Sequence, residues 1–212
     1  SYSGELARKA VHLSSLSIPI VYSFISKSTA LTILVPLTLL VGCTDAARYL
    51  FPPFRLFYHK WLGWLMRAHE KDENGKRLTG ATYVLLAASI GILIFPKVII
   101  ITSFAIMIVS DTVAALIGRK FGKHPFMSKT LEGTIGFFGS AVCVVCLAPK
   151  VGYVPAEYFI GFAAALLGAV VEAMSITVDD NLSITFSVGG VMWLMYAVFL
   201  PTINVFALDI PG

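Results

Sequence analysis

Seven apolar runs divide the chain, near residues 11–26, 29–47, 79–96, 98–118, 131–148, 156–178 and 184–201. About 20 apolar residues in a helix cross a hydrocarbon layer roughly 30 Å thick. The pattern therefore predicts an all-α, polytopic integral membrane protein with seven transmembrane helices, folded as one domain over residues 1–212. Composition agrees, since 57% of residues are hydrophobic, 13% are charged and mean hydropathy is +0.83. A soluble domain carries nearly twice that share of charge.

Thirteen of the 16 Lys and Arg residues fall at the N-terminus, between the second and third runs, or between the fourth and fifth. The three exceptions are Lys27, Lys97 and Lys150. Basic residues accumulate on the cytoplasmic side of membrane proteins, so the N-terminus is predicted to lie inside. Clustering by loop also accounts for the net charge of +4 without nucleic-acid binding. On this threading Glu5, His12, Asp45, Arg48, Asp111, Glu132, Glu172, Asp179, Asp180 and Asn181 all lie at cytoplasmic helix ends, which predicts one shared aqueous site. Cys143 and Cys146 form a C-x-x-C without a second ligand pair and read as small core residues.

Residues 52–69 are too basic to span. Phe54, Phe57, Tyr58, Trp61, Trp64 and Leu65 recur at three or four residues, the pattern of an amphipathic helix lying in the interface, either shaping the entrance for a lipid or serving as a plain anchor. In the sixth run Gly161, Ala164, Ala165, Gly168, Ala169 and Ala173 allow close helix approach, which predicts a central position.

The chemistry concentrates in residues 110–134, SDTVAALIGRKFGKHPFMSKTLEGT. Asp111 lies fourteen residues beyond Lys97, about 21 Å along a helix, and so below the cytoplasmic surface. An ionisable group at membrane depth is costly and marks a candidate site. Arg119, Lys120, Lys123 and His124 follow, with Gly118 and Gly122 opening the turn. A new helix starting near Lys129, Thr130, Glu132 and Gly133 completes a candidate phosphate cradle. Asp111, Glu132, Glu172, Asp179 and Asp180 supply hard oxygens of the kind Mg²⁺ selects, beside substrate phosphates. Cations and carboxylates on one membrane face suggest a magnesium–nucleotide site. Arg8 and His12 share one helical face near the N-terminus, with Lys9 beside them, and fit either this site or a surface anchor.

The segments ARKAVH (7–12), TGATY (79–83), DTVAALIGRKFGK (111–123), KTLEG (129–133) and the late Glu172 to DNLSI (180–184) occur in order over most of the chain. Together they resemble the CTP-dependent lipid kinase family, which includes dolichol kinase, phytol kinase and the CTP-using diacylglycerol kinase. The middle segments also resemble phosphatidate cytidylyltransferase, but the later Lys-Asp and Pro-Gly-His-Gly-Gly run of that enzyme is absent, and Asp180 and Asn181 stand in its place. The resemblance implies transfer of the γ-phosphate of CTP to the hydroxyl of a membrane lipid alcohol, with Mg²⁺ and with release of CDP. The alcohol would be a polyprenol, a phytol-like isoprenoid or diacylglycerol. Cytidylyl transfer is the alternative, and a transporter fits less well because the polar groups gather on one side.

By motif position, Asp111, Lys129 and Glu132 are the implied catalytic residues. Arg8, Lys9, His12, Gly118, Arg119, Lys120, Lys123, Thr130, Gly133 and Asn181 would hold the nucleotide. Asp111, Glu132, Glu172, Asp179 and Asp180 are the candidate metal ligands, and Asp111 is the first choice to accept the alcohol proton. The implied partners are CTP, the lipid and the bilayer, with a homo-oligomer compatible. Such an enzyme would work at the cytoplasmic face of a bacterial or archaeal inner membrane, or of the endoplasmic reticulum or a plastid.

Overall fold

A computed structural model describes residues 2–63, 78–174 and 178–209. Among these residues the chain forms helices α1 (Tyr2–Ser14), α2 (Ser17–Phe24), α3 (Lys27–Leu50), α4 (Pro52–Leu62), α5 (Gly80–Ile94), α6 (Lys97–Phe121), α7 (Leu131–Leu147), α8 (Pro155–Met174) and α9 (Asp180–Phe199). A short hairpin of β1 (Pro125–Phe126) and β2 (Lys129–Thr130) links α6 to α7.

The expectation of seven spans is not confirmed. Among the described residues four helices, α3, α6, α8 and α9, are long and apolar enough to cross a membrane, while α5 and α7 are shorter apolar helices. The first apolar run is broken. The amides of Ser15 and Leu16 turn back to the carbonyls of His12 and Leu13 in a tight bend, and the chain restarts as α2, only eight residues long. Pro19 sits in the first turn of α2, where a missing N–H is tolerated; further inside a continuous helix it would remove a hydrogen bond and clash.

α6 lies at the centre. It packs most extensively on α7 and also on α9, α2, α1 and α5, and its face from Val98 to Ile108 is almost wholly buried. In α8 all six small residues singled out from sequence are buried. Gly161 lies against Val145, and Gly168 against Val188 and Phe137, where a Cβ would stand within 3 Å of its neighbour. Such contacts matter because lipid offers apolar helices no hydrophobic reason to associate, so close packing must do so. The cysteines differ from expectation: Cys43, Cys143 and Cys146 are free and face outward.

α4 begins the amphipathic segment and carries exposed Leu56 and Phe57. The side chains of His59 and Trp61, residues 64–77 with Trp64, Leu65 and Arg67, and the side chain of Glu5 lie outside the described part. Asp45 and Arg48 form a cluster of their own. Fully buried, Asp45 accepts hydrogen bonds from the Thr79 amide (2.7 Å) and from the hydroxyls of Thr79 (2.8 Å) and Thr82 (2.6 Å). Arg48 Nε stands 3.9 Å from the same carboxylate, and the guanidinium lies over the rings of Tyr49 and Tyr58. The TGATY segment is thereby a lock between α3 and α5.

At the other end of α6 the Lys97 ammonium donates to Ile25 O (2.8 Å) and lies 5.0 Å from the centre of the Tyr22 ring. The Lys97 amide, an orphan donor of the first turn, donates to Asp209 Oδ1 at 3.0 Å. Also remote from Asp111, the loop before α8 folds onto Glu157, which accepts from the amides of Val151, Gly152 and Val154 and from the Tyr196 hydroxyl.

Candidate active site

Asp111 lies in the C-terminal half of α6, 7% exposed. Its carboxylate is paired with Lys9 of α1, which also donates to the Asp111 carbonyl at 3.3 Å, and His12 Nε2 stands 3.7 Å away. The bend after α1 allows this helix to pack against α6 at Asp111 instead of continuing into α2.

Lys129 forms the second half of the site. Its ammonium bridges Glu172 Oε1 (2.7 Å) at the end of α8 and Asp180 Oδ2 (3.1 Å) at the start of α9. Burial of Lys129 disfavours its charge, but Asp180, Glu172 and Asp111 together overcome that effect and raise its pKa above the ordinary lysine value. The stability these pairs contribute is complete below the pKa of an unfolded lysine and disappears only as pH climbs through the higher folded value. Loss of the Lys129 contribution is therefore expected only in strongly alkaline buffers, measurable by comparing thermal unfolding of the wild type and Lys129→Met across pH. Among the described residues, Glu172 Oε2 is buried without a hydrogen-bond partner.

The structure thus brings together Lys9, His12, Asp111, Lys129, Glu172 and Asp180 from five elements. The other candidates lie differently. Glu132 accepts from the amide and Nδ1 of His124, the latter at 2.7 Å, and closes the base of the hairpin. Asp179 is the N-cap of α9 and accepts from the Asn181 amide (3.0 Å) and side-chain nitrogen (2.5 Å). These two acids and Asn181 are thereby engaged in local structure. Among the described residues no three His, Cys, Asp or Glu side chains gather as a metal cage, because lysines occupy the places between the carboxylates.

Gly118 and Gly133 mark a backbone crossing. A Cβ on Gly133 would lie 3.1 Å from Ala114 O and 3.4 Å from Gly118 Cα, and one on Gly118 would lie 2.9 Å from Thr130 Oγ1. Thr130 itself caps α7 by accepting from the Gly133 amide at 3.3 Å. Gly133→Ala is expected to lower stability by about 1–3 kcal/mol, since backbone atoms cannot swing aside, and thermal unfolding in detergent measures it. Arg119, Lys120 and Lys123 are exposed on the turn beyond this crossing, and Arg8 is half-buried on α1.

Sequence reasoning missed the hairpin and Ser128, whose amide and hydroxyl both donate to Ala173 O. The dipeptide Met127-Ser128 between Phe126 and Lys129 was the available signal, but Met127 adopts a positive φ of 51° without being glycine.

The uncharacterized protein RP860 of Rickettsia prowazekii is 30% identical over 194 residues, covering 86% of this chain and 90% of that one. The chain belongs to the family of RP860. More distant homology of this chain extends to two CTP-dependent diacylglycerol kinases. The CTP-dependent diacylglycerol kinase 1 of Schizosaccharomyces pombe is 31% identical over 97 residues, 44% of this chain and 43% of that protein. The Saccharomyces cerevisiae protein of the same description is 27% identical over 207 residues, 85% of this chain and 69% of its own length. No family model matches the chain, and no solved structure matches it significantly.

Proposed function

We propose that this member of the RP860 family is an integral-membrane, CTP-dependent lipid kinase that transfers the γ-phosphate of CTP to the hydroxyl of a lipid alcohol. The observation that carries the reading is the pairing of two lysines, Lys9 and Lys129, with three acids, Asp111, Glu172 and Asp180, at one end of the bundle. The homology to CTP-dependent diacylglycerol kinases supports the donor and makes diacylglycerol the first alcohol to test, ahead of polyprenols and phytol. The basic excess of the loops around the site supports a cytoplasmic orientation.

Phosphoryl transfer needs little covalent chemistry from the protein; positioning and charge neutralisation supply most of the rate. In this reading Lys9 and Lys129 exchange carboxylate partners for phosphate oxygens, and Arg8, Arg119, Lys120 and Lys123 draw the triphosphate toward them. Magnesium arrives as the nucleotide complex and is part of the substrate. Asp111, Glu172 and Asp180 offer the hard oxygens it selects, and among the described residues Oε2 of Glu172 has no hydrogen-bond partner. Glu132 contributes through the hairpin it closes. The exposed apolar side of α4 borders the entry of the lipid.

Purified protein given CTP, Mg²⁺ and each alcohol in turn is expected to yield CDP and a lipid monophosphate. Pyrophosphate in place of CDP would show cytidylyl transfer, and hydrolysis or inertness with every alcohol would end the kinase reading.

A further inference from the structure

Ser128 belongs to none of the groups assigned above, yet it occupies the junction on which the site depends. Its amide (3.1 Å) and hydroxyl (2.6 Å) converge on one acceptor, Ala173 O. That carbonyl lies in the last turn of α8, where backbone oxygens have no partner within the helix. Ala173 follows Glu172 and Ser128 precedes Lys129, so the clamp joins the hairpin to α8 one residue from each end of the Lys129–Glu172 ion pair.

The backbone before the clamp is strained. Met127 has φ 51°, in the left-handed region that costs a non-glycine residue roughly 1–2 kcal/mol. Such strain persists only where the surroundings over-determine the chain. Here the β1–β2 register fixes one side of Met127 and the clamp to Ala173 fixes the other.

Resting on the kinase reading, we propose that Ser128 is a positioning residue: by tying the hairpin to the end of α8 it sets the Lys129 ammonium where the transferred phosphate is held. The hydroxyl supplies the shorter of the two bonds, and without it the strained turn can relax and carry Lys129 with it. Small displacements of a positioning cation cost rate steeply.

Two readouts test this. In Ser128→Ala, kcat/KM for CTP is expected to fall about tenfold, while Ser128→Thr, which keeps the hydroxyl, stays within about twofold of the wild type. Independently of turnover, labelling of Lys129 by an amine-acylating reagent, read by mass spectrometry without substrate, is expected to rise severalfold in Ser128→Ala. Labelling of Lys120 and Lys123 should be unchanged. Ser128 is exposed, so its truncation is expected to leave the thermal midpoint near that of the wild type. An unaltered kcat/KM in Ser128→Ala, or unaltered Lys129 labelling, overturns the proposal. If the wild type forms no CDP with any lipid, the kinase reading fails while the labelling comparison still decides whether Ser128 positions Lys129.

Discussion

Asp111→Asn is expected to reduce CDP formation about a hundred- to a thousandfold, the size of effect seen when a charge-stabilising group is removed from a dry site, while the protein stays inserted and folded. The asparagine keeps the shape but leaves the Lys9 ammonium, 5% exposed, without its counter-ion. Losing one partner of a buried pair costs about 3–5 kcal/mol. That cost falls on the docking of α1, whose main packing partner is α6, whereas α6 is held independently by α7, α9, α5 and α2. Size-exclusion and helical content should therefore match the wild type while turnover does not. Adding Lys9→Met removes the stranded charge and is expected to recover stability without recovering activity. A fully active Asp111→Asn enzyme would exclude this carboxylate from the mechanism.

Glu157→Ala is expected to cause a large loss of stability, about 4 kcal/mol or more, read as a fall in thermal midpoint in detergent. The carboxylate is fully buried and satisfies four donors, at 2.8, 2.9, 3.2 and 2.9 Å from Val151, Gly152, Val154 and Tyr196. Each buried donor left unpaired costs about 1–3 kcal/mol, moderated where water can enter. Beside it, burial pushes the Lys150 ammonium pKa down while Glu157 opposes the shift, so the alanine variant also destabilises that cation. Glu157→Gln retains one acceptor oxygen and is expected to lose about half as much. Glu172 and Glu157 are fifteen residues apart on one helix, about 22 Å, so activity per folded molecule should survive both changes. A wild-type midpoint in Glu157→Ala would show that the loop does not depend on this acid.

The part of the site legible in the sequence was the part whose cost is written in residue type. Asp111 stood out because a carboxylate in an apolar run demands a partner, and Lys9, Lys129, Glu172 and Asp180 gathered by the same logic of basic and acidic helix ends. Pairing was less legible. Glu132 and Asp179 have the same chemistry as Glu172 and Asp180, and only the turn of the chain decides that one pair serves local structure while the other meets Lys129. Gly118 and Gly122 looked like openings for phosphate, yet removing a side chain also lets two segments touch, as Gly118 does with Gly133, and sequence alone does not distinguish these uses. β1 and β2, at two residues each, are too short to show any alternation. The seven-run reading weakened where hydropathy exceeded geometry: residues 11–26 are apolar enough to span, but Pro19 and the bend at Ser15 give two shorter helices in their place.

The bond from the Lys97 amide to Asp209 spans 112 positions of sequence. During synthesis the helix that carries Asp111 emerges long before the acid that closes its opposite end. Until Asp209 clears the ribosome, that first turn has only water or lipid headgroups to satisfy it, and a stretch made much later is what finishes the helix begun before it.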